Sequence, residues 1–78
     1  MTILKSDIIF VSSTGNYNFT VEYNKKEFVV KITKDAFEEY IQKEYSSIEI
    51  FITSIKFLDI LNENFDSVSF TIGTVDFK

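Results

Sequence analysis

Two short stretches on either side of a polar break constrain this chain most. In Tyr17-Asn18-Phe19-Thr20-Val21-Glu22-Tyr23 every second side chain is apolar, and Phe28-Val29-Val30-Lys31-Ile32 keeps that period of two. Such alternation belongs to strands with one face buried and one face wet. Pairing Tyr23 with Phe28 sets Val21 opposite Val30 and Phe19 opposite Ile32, so the apolar set of both strands falls on one face. A slip of one residue would turn one strand's set outward, so the hairpin register is strongly specified. Lys25-Lys26 lacks the Asn-Gly chemistry of a tight type I′ turn, and a four-residue loop over Asn24–Glu27 is expected instead.

Three further segments complete the plan. Ile8–Val11 is a short β-branched and aromatic run that ends in the turn cluster Ser12–Asn16, and it reads as a first strand paired with the second. Ser67–Ile72 alternates again and reads as the last strand. Val75 and Phe77 then fall on the opposite parity, which predicts a bulge or bend at Gly73. Between the hairpin and the last strand the period becomes helical. Thr33 is a good N-cap for a helix from Lys34 to about Tyr45, with Phe37, Tyr40, Ile41 and Tyr45 as its apolar stripe. Ser46 and Glu49 have the spacing of a capping box, which predicts a second, continuous helix over Ile48–Asn64. Its core stripe would be Ile48, Phe51, Ile52, Ile55 and Leu58, beside a second stripe of Ile50, Phe57 and Leu61. The expected fold is therefore α+β in the order βββααβ, with an antiparallel sheet of about four strands and two helices on one face. The whole chain, residues 1–78, reads as one compact domain.

Composition excludes several functions. Cysteine, histidine, arginine, proline and tryptophan are absent, which removes disulfides, ordinary zinc, haem and iron–sulfur sites, and the usual nucleophile–histidine pairs. The two glycines stand alone, so there is no glycine-rich phosphate cradle. Asp59 and Glu63 lie one helical turn apart and could face a hard cation together, yet a solvated helix edge beside Lys56 is by far the simpler explanation. No catalytic residue, cofactor or metal is expected, and the chain does not read as an enzyme. Isoleucine, lysine, asparagine, phenylalanine and tyrosine dominate, the signature of an AT-rich genome such as those of many bacteria and their phages. Asp7 interrupts the N-terminal apolar run, and no stretch reaches the 18 apolar residues of a membrane span, so a cytoplasmic protein is expected.

Charge and apolar excess point instead to a protein partner. Twelve acidic residues against eight lysines give a net charge of −4, which argues against direct binding to nucleic acid or an anionic membrane. Glu22, Glu27, Asp35, Glu38 and Glu39 are candidates for an acidic surface that imitates phosphates and engages a basic nucleic-acid-binding protein. Thirty-four bulky apolar or aromatic residues, nine of them phenylalanine, exceed what a small core holds. Ile50, Phe57, Leu61, Val75 and Phe77 are the candidates for a partner or dimer interface. In size, acidity and lack of catalytic side chains the chain resembles the small phage-encoded inhibitors of bacterial defence, such as anti-CRISPR proteins. These share no motif, so no residue role is carried over. A self-associating bacterial α+β protein, or an immunity or antitoxin protein acting by occlusion, is the alternative. The last strand, with no proline or lysine to blunt it, offers an edge to a partner or to a second copy.

Overall fold

The computed structural model describes all 78 residues, Met1–Lys78. Two long strands, β3 (Asn16–Tyr23) and β4 (Lys26–Thr33), form its centre. Along the outer side of β3 run two short antiparallel strands, β1 (Ile3–Leu4) and β2 (Ile9–Val11). The segment between them is stitched to β3 by the Lys5 N–H on the Thr20 carbonyl and by the Thr20 N–H on Ser6 Oγ, each at 2.8 Å. On the other side, β5 (Ser69–Ile72) pairs with β4 in parallel. The sheet is thus mixed and five-stranded, where four antiparallel strands were expected. The parallel pairing follows from the connection: a chain that leaves β4 through thirty-five residues, most of them helical, crosses back to the starting end before pairing.

The hairpin register corrects the expected one by two residues. Tyr23 pairs with Lys26, Val21 with Phe28 and Phe19 with Val30. Asn24 and Lys25 alone make the turn, both in the left-handed region at φ 57° and 65°. Positive φ at both central positions is the requirement of a type I′ turn, whose twist matches the strands it joins. Lys25 carries a steric cost there that a glycine would not. A shift of two preserves parity, so Phe19, Val21, Phe28, Val30 and Ile32 all remain on the buried face.

Helices cover that face. Thr33 caps the first, α1, its Oγ1 accepting the Ala36 N–H at 3.2 Å. The helix runs as α over Lys34–Ala36, as π over Phe37–Ile41 and as α again over Gln42–Glu44. In the π segment the Gln42 N–H reaches the Phe37 carbonyl, five residues back. The wider turn brings Ala36 and Ile41 onto the same fully buried line, although they are five residues apart. Ser46, at φ 74°, ends the helix, and Ser47 caps the next. The predicted Ser46–Glu49 capping box is therefore displaced by one residue: Ser47 Oγ accepts the Ile50 N–H at 3.2 Å.

The predicted helix over Ile48–Asn64 is two helices, α2 (Ile48–Phe51) and α3 (Ile55–Glu63). Thr53 and Ser54 divide them by turning hydroxyls back onto the Ile50 and Phe51 carbonyls at 2.7 and 2.6 Å. Ser54 Oγ also accepts the Phe57 N–H at 3.2 Å and so starts α3. The break resets the helical phase. Phe57, Ile60 and Leu61 face inward on α3, whereas Ile55, placed in the core stripe by a continuous helix, is 77% exposed.

Of the bulge or bend expected at Gly73, no bulge forms; the strand stops at Ile72 and the chain turns at Gly73. The Gly73 N–H donates to the Asp76 carboxylate at 2.9 Å, and Thr74–Phe77 winds into a 3₁₀ turn. Fifteen apolar residues form one buried cluster between sheet and helices, with no polar or charged residue among them. No helix is long and apolar enough to cross a membrane.

Candidate interaction surface

Phe10 of β2 lies opposite Tyr17 of β3, their ring centroids 4.9 Å apart. Tyr17 in turn meets Phe37 of α1 at 4.6 Å. The three rings make a ladder from the sheet edge to the helix, with tilted contacts that complement the ring quadrupoles. They line an open cleft of about 250 Å³ together with Ile8, Ser47, Ile48 and Glu49. Phe10, at its rim, is 45% exposed. The cleft is smaller than the usual small-molecule site and suits a side chain of a partner. Its one ionisable carboxylate, Glu49, gives it a negative mouth. Sequence reasoning missed the Phe10–Tyr17 pair: a turn over Ser12–Asn16 would set Phe10 opposite Asn18, whereas Val11 pairs with Asn16 and the turn is one residue shorter.

The acidic candidates are divided by the fold. Asp35, Glu38 and Glu39 all stand exposed on α1. Glu22 and Glu27 face one another across β3 and β4 on the uncovered side of the sheet. The six residue steps along β4 from Glu27 to Thr33 span roughly 20 Å of strand, so the two groups form no single patch. Glu22 is also partly neutralised by Lys5, at 3.6 Å in the molecule's one ion pair. Asp35, Glu38 and Glu39 have no such partner.

The apolar candidates are divided as well, and two of them are corrected. Phe57 and Leu61 are completely buried, because the phase reset at Ser54 turns their side of α3 inward; they are core and present no interface. Phe77 is half-buried, stacked on Tyr40 at 4.9 Å with the rings 5° from parallel, and close to Phe51 at 5.6 Å. Ile50 and Val75 remain at the surface, 53% and 74% exposed. Asp59 and Glu63 project from the exposed side of α3, and nowhere do three carboxylates gather as a cation site would need.

Comparison with models of protein families, with curated proteins and with solved structures finds nothing that this chain matches.

Proposed function

We propose that this chain is a non-catalytic protein-binding module that inhibits a basic, nucleic-acid-handling partner by occlusion, in the manner of the small anti-defence proteins of phages. The observation that supports this reading is the placement of α1. The helix that exposes Asp35, Glu38 and Glu39 without ion-pair partners also supplies Phe37 to the aromatic cleft. An anchor of aromatic rings beside unpaired carboxylates combines a source of affinity with a source of steering. In this mechanism the cleft receives a side chain of the partner while the α1 carboxylates occupy the cationic groove that would hold phosphates. Glu22 and Glu27, on the other side of the sheet, take no part in that contact. The inhibitor acts in the bacterial cytoplasm, where its targets handle nucleic acid.

The test begins with a tagged chain used to recover partners from a nuclease-treated bacterial lysate at low and at high salt. The recovered complex is then rebuilt from pure components and challenged with nucleic acid. The expected result is a stoichiometric complex that weakens as salt rises, competes with nucleic acid, and is lost in the Asp35→Asn, Glu38→Gln, Glu39→Gln triple variant. A complex indifferent to salt and to nucleic acid would overturn the mimicry. The absence of any complex at either salt concentration would overturn the binding reading itself.

A further inference from the structure

The two edges of the sheet are finished differently. On the β3 side the edge is broken into β1 and β2, and it carries Lys5, Asp7 and the Lys5–Glu22 ion pair. Short strands and charges of this kind keep an edge from pairing with other chains. On the other side β5 is continuous over Ser69-Phe70-Thr71-Ile72, with no charge and no proline. Its ladder with β4 includes the Val29 N–H on the Val68 carbonyl at 2.9 Å. The alternation of a parallel ladder then turns Phe70 and Ile72 backbone groups toward β4 and leaves those of Ser69 and Thr71 directed outward. The side chains of Ser69 and Thr71 are exposed, as is Val68 beside them at 70%.

We infer that the β5 edge pairs with the β5 edge of a second copy of this chain, antiparallel about a two-fold axis through Phe70. This inference concerns a different surface from the proposed inhibitory contact and does not depend on it. The occupant is selected by self-complementarity. With Phe70 opposite Phe70, Ser69 of each copy lies opposite Thr71 of the other, so the four outward N–H and C=O groups of one edge meet four of the other. The seam is hydroxyl against hydroxyl on the open face, a favourable cross-strand pairing. On the helix side Val68 falls opposite Ile72 of the second copy and loses its exposure. The seam is also neutral in a chain of net charge −4, so nothing in it selects a charged partner. The nearest charge in the sheet, Lys31, sits one strand inward beside Thr71. In the two-fold arrangement it is separated from its mate by three strand spacings, about 14 Å, which exceeds the screening length at physiological salt. A four-residue seam is short, so a concentration-dependent dimer is expected rather than an obligate one.

The experiment is sedimentation of the full chain from about 10 µM to about 1 mM, with amide exchange of Ser69 and Thr71 read by NMR across the same range. The expected result is a monomer–dimer equilibrium in which both amides slow by about tenfold or more as dimer forms. Thr71→Pro removes an outward N–H that β4 does not use, and is expected to abolish the dimer while leaving far-UV circular dichroism unchanged. A monomer at every concentration, with exchange at Ser69 and Thr71 independent of concentration, overturns the inference. So does a dimer that survives Thr71→Pro. Slowing of the two amides only when a different protein is added would assign the edge to that protein and likewise overturn self-pairing. Should Thr71→Pro fail to fold, the concentration dependence of exchange in the unaltered chain decides alone.

Discussion

The β3–β4 hairpin and the helical stretch from Ile48 to Glu63 are similar in length and both rich in apolar residues, yet they are specified in different ways. The hairpin is a continuous ladder of eight paired residues whose shape is fixed locally, by alternation and by one two-residue turn. The helical stretch is two short pieces, of four and nine residues, neither long enough to be stable alone in water. Its form depends on what it buries and on the hydroxyls of Ser47, Thr53 and Ser54. Local patterning is sufficient for the first region; the second is defined only once the sheet is there to pack against.

Substitutions can break that contrast or sharpen it. The largest effect is expected at Phe57, wholly buried and in edge contact with Phe51 at 5.3 Å. Phe57→Ala should cost about 3–5 kcal/mol by lost burial and cavity formation, most of the stability of a chain this size. A denaturant titration showing a loss below about 1 kcal/mol would mean that α3 does not dock as described. Next comes Ser54→Ala, which removes the N-cap of α3 and frees the Phe51 carbonyl. A loss of about 1 kcal/mol is expected, with a fall in the thermal midpoint as the readout. An unchanged midpoint would show that packing alone divides α2 from α3. Lys25→Gly works in the opposite direction at the hairpin. Relieving the left-handed lysine should stabilise the fold by about 0.5–1 kcal/mol, visible as a higher denaturant midpoint at constant slope. Destabilisation there would show that the turn is not type I′ in solution. The smallest effect is expected for Ile55→Ala: at 77% exposure it should change stability by less than about 0.5 kcal/mol, whereas a continuous helix with Ile55 in the core would lose several times that.

The same contrast explains what was legible beforehand. Both hairpin strands and their buried faces follow from the period of two. Only the turn was misjudged, because Asn24-Lys25 takes two left-handed residues without a glycine, and the resulting shift of two residues leaves every side chain on its proper face. The α1 cap and stripe were equally clear, and Asp35, Glu38 and Glu39 stand exposed as the spacing implied. The helical break was not clear, since Ile48–Leu61 has apolar residues on nearly every side and fits more than one phase. The deciding signal was the Thr53-Ser54 pair, whose hydroxyls compete for backbone carbonyls. The phase of a continuous helix, added to the apolar excess, is what sets Phe57 and Leu61 apart from the core. The parallel direction of β5 was available in principle from the long helical connection that precedes it. The aromatic cleft was not legible, because a turn over Ser12–Asn16 puts Phe10 opposite Asn18, and closure by Phe37 and Ile48 needed the helices in place.

The parallel pairing of β4 with β5 also sets an order of events during synthesis. The hairpin closes across two residues and can form as soon as Thr33 has emerged. Its partner on the other side begins thirty-six residues later, at Ser69. Pairing across such a separation carries a large loop-closure entropy and slows folding relative to local contacts. Until Ser69–Ile72 are made, the β4 edge stands open and Val30 and Ile32 lack the neighbours Phe70 and Ile72 that help bury them. The newborn chain therefore passes through a stage in which its best-formed element is also its most adhesive one, and the time spent there is set by how quickly Ser69–Ile72 arrive and dock.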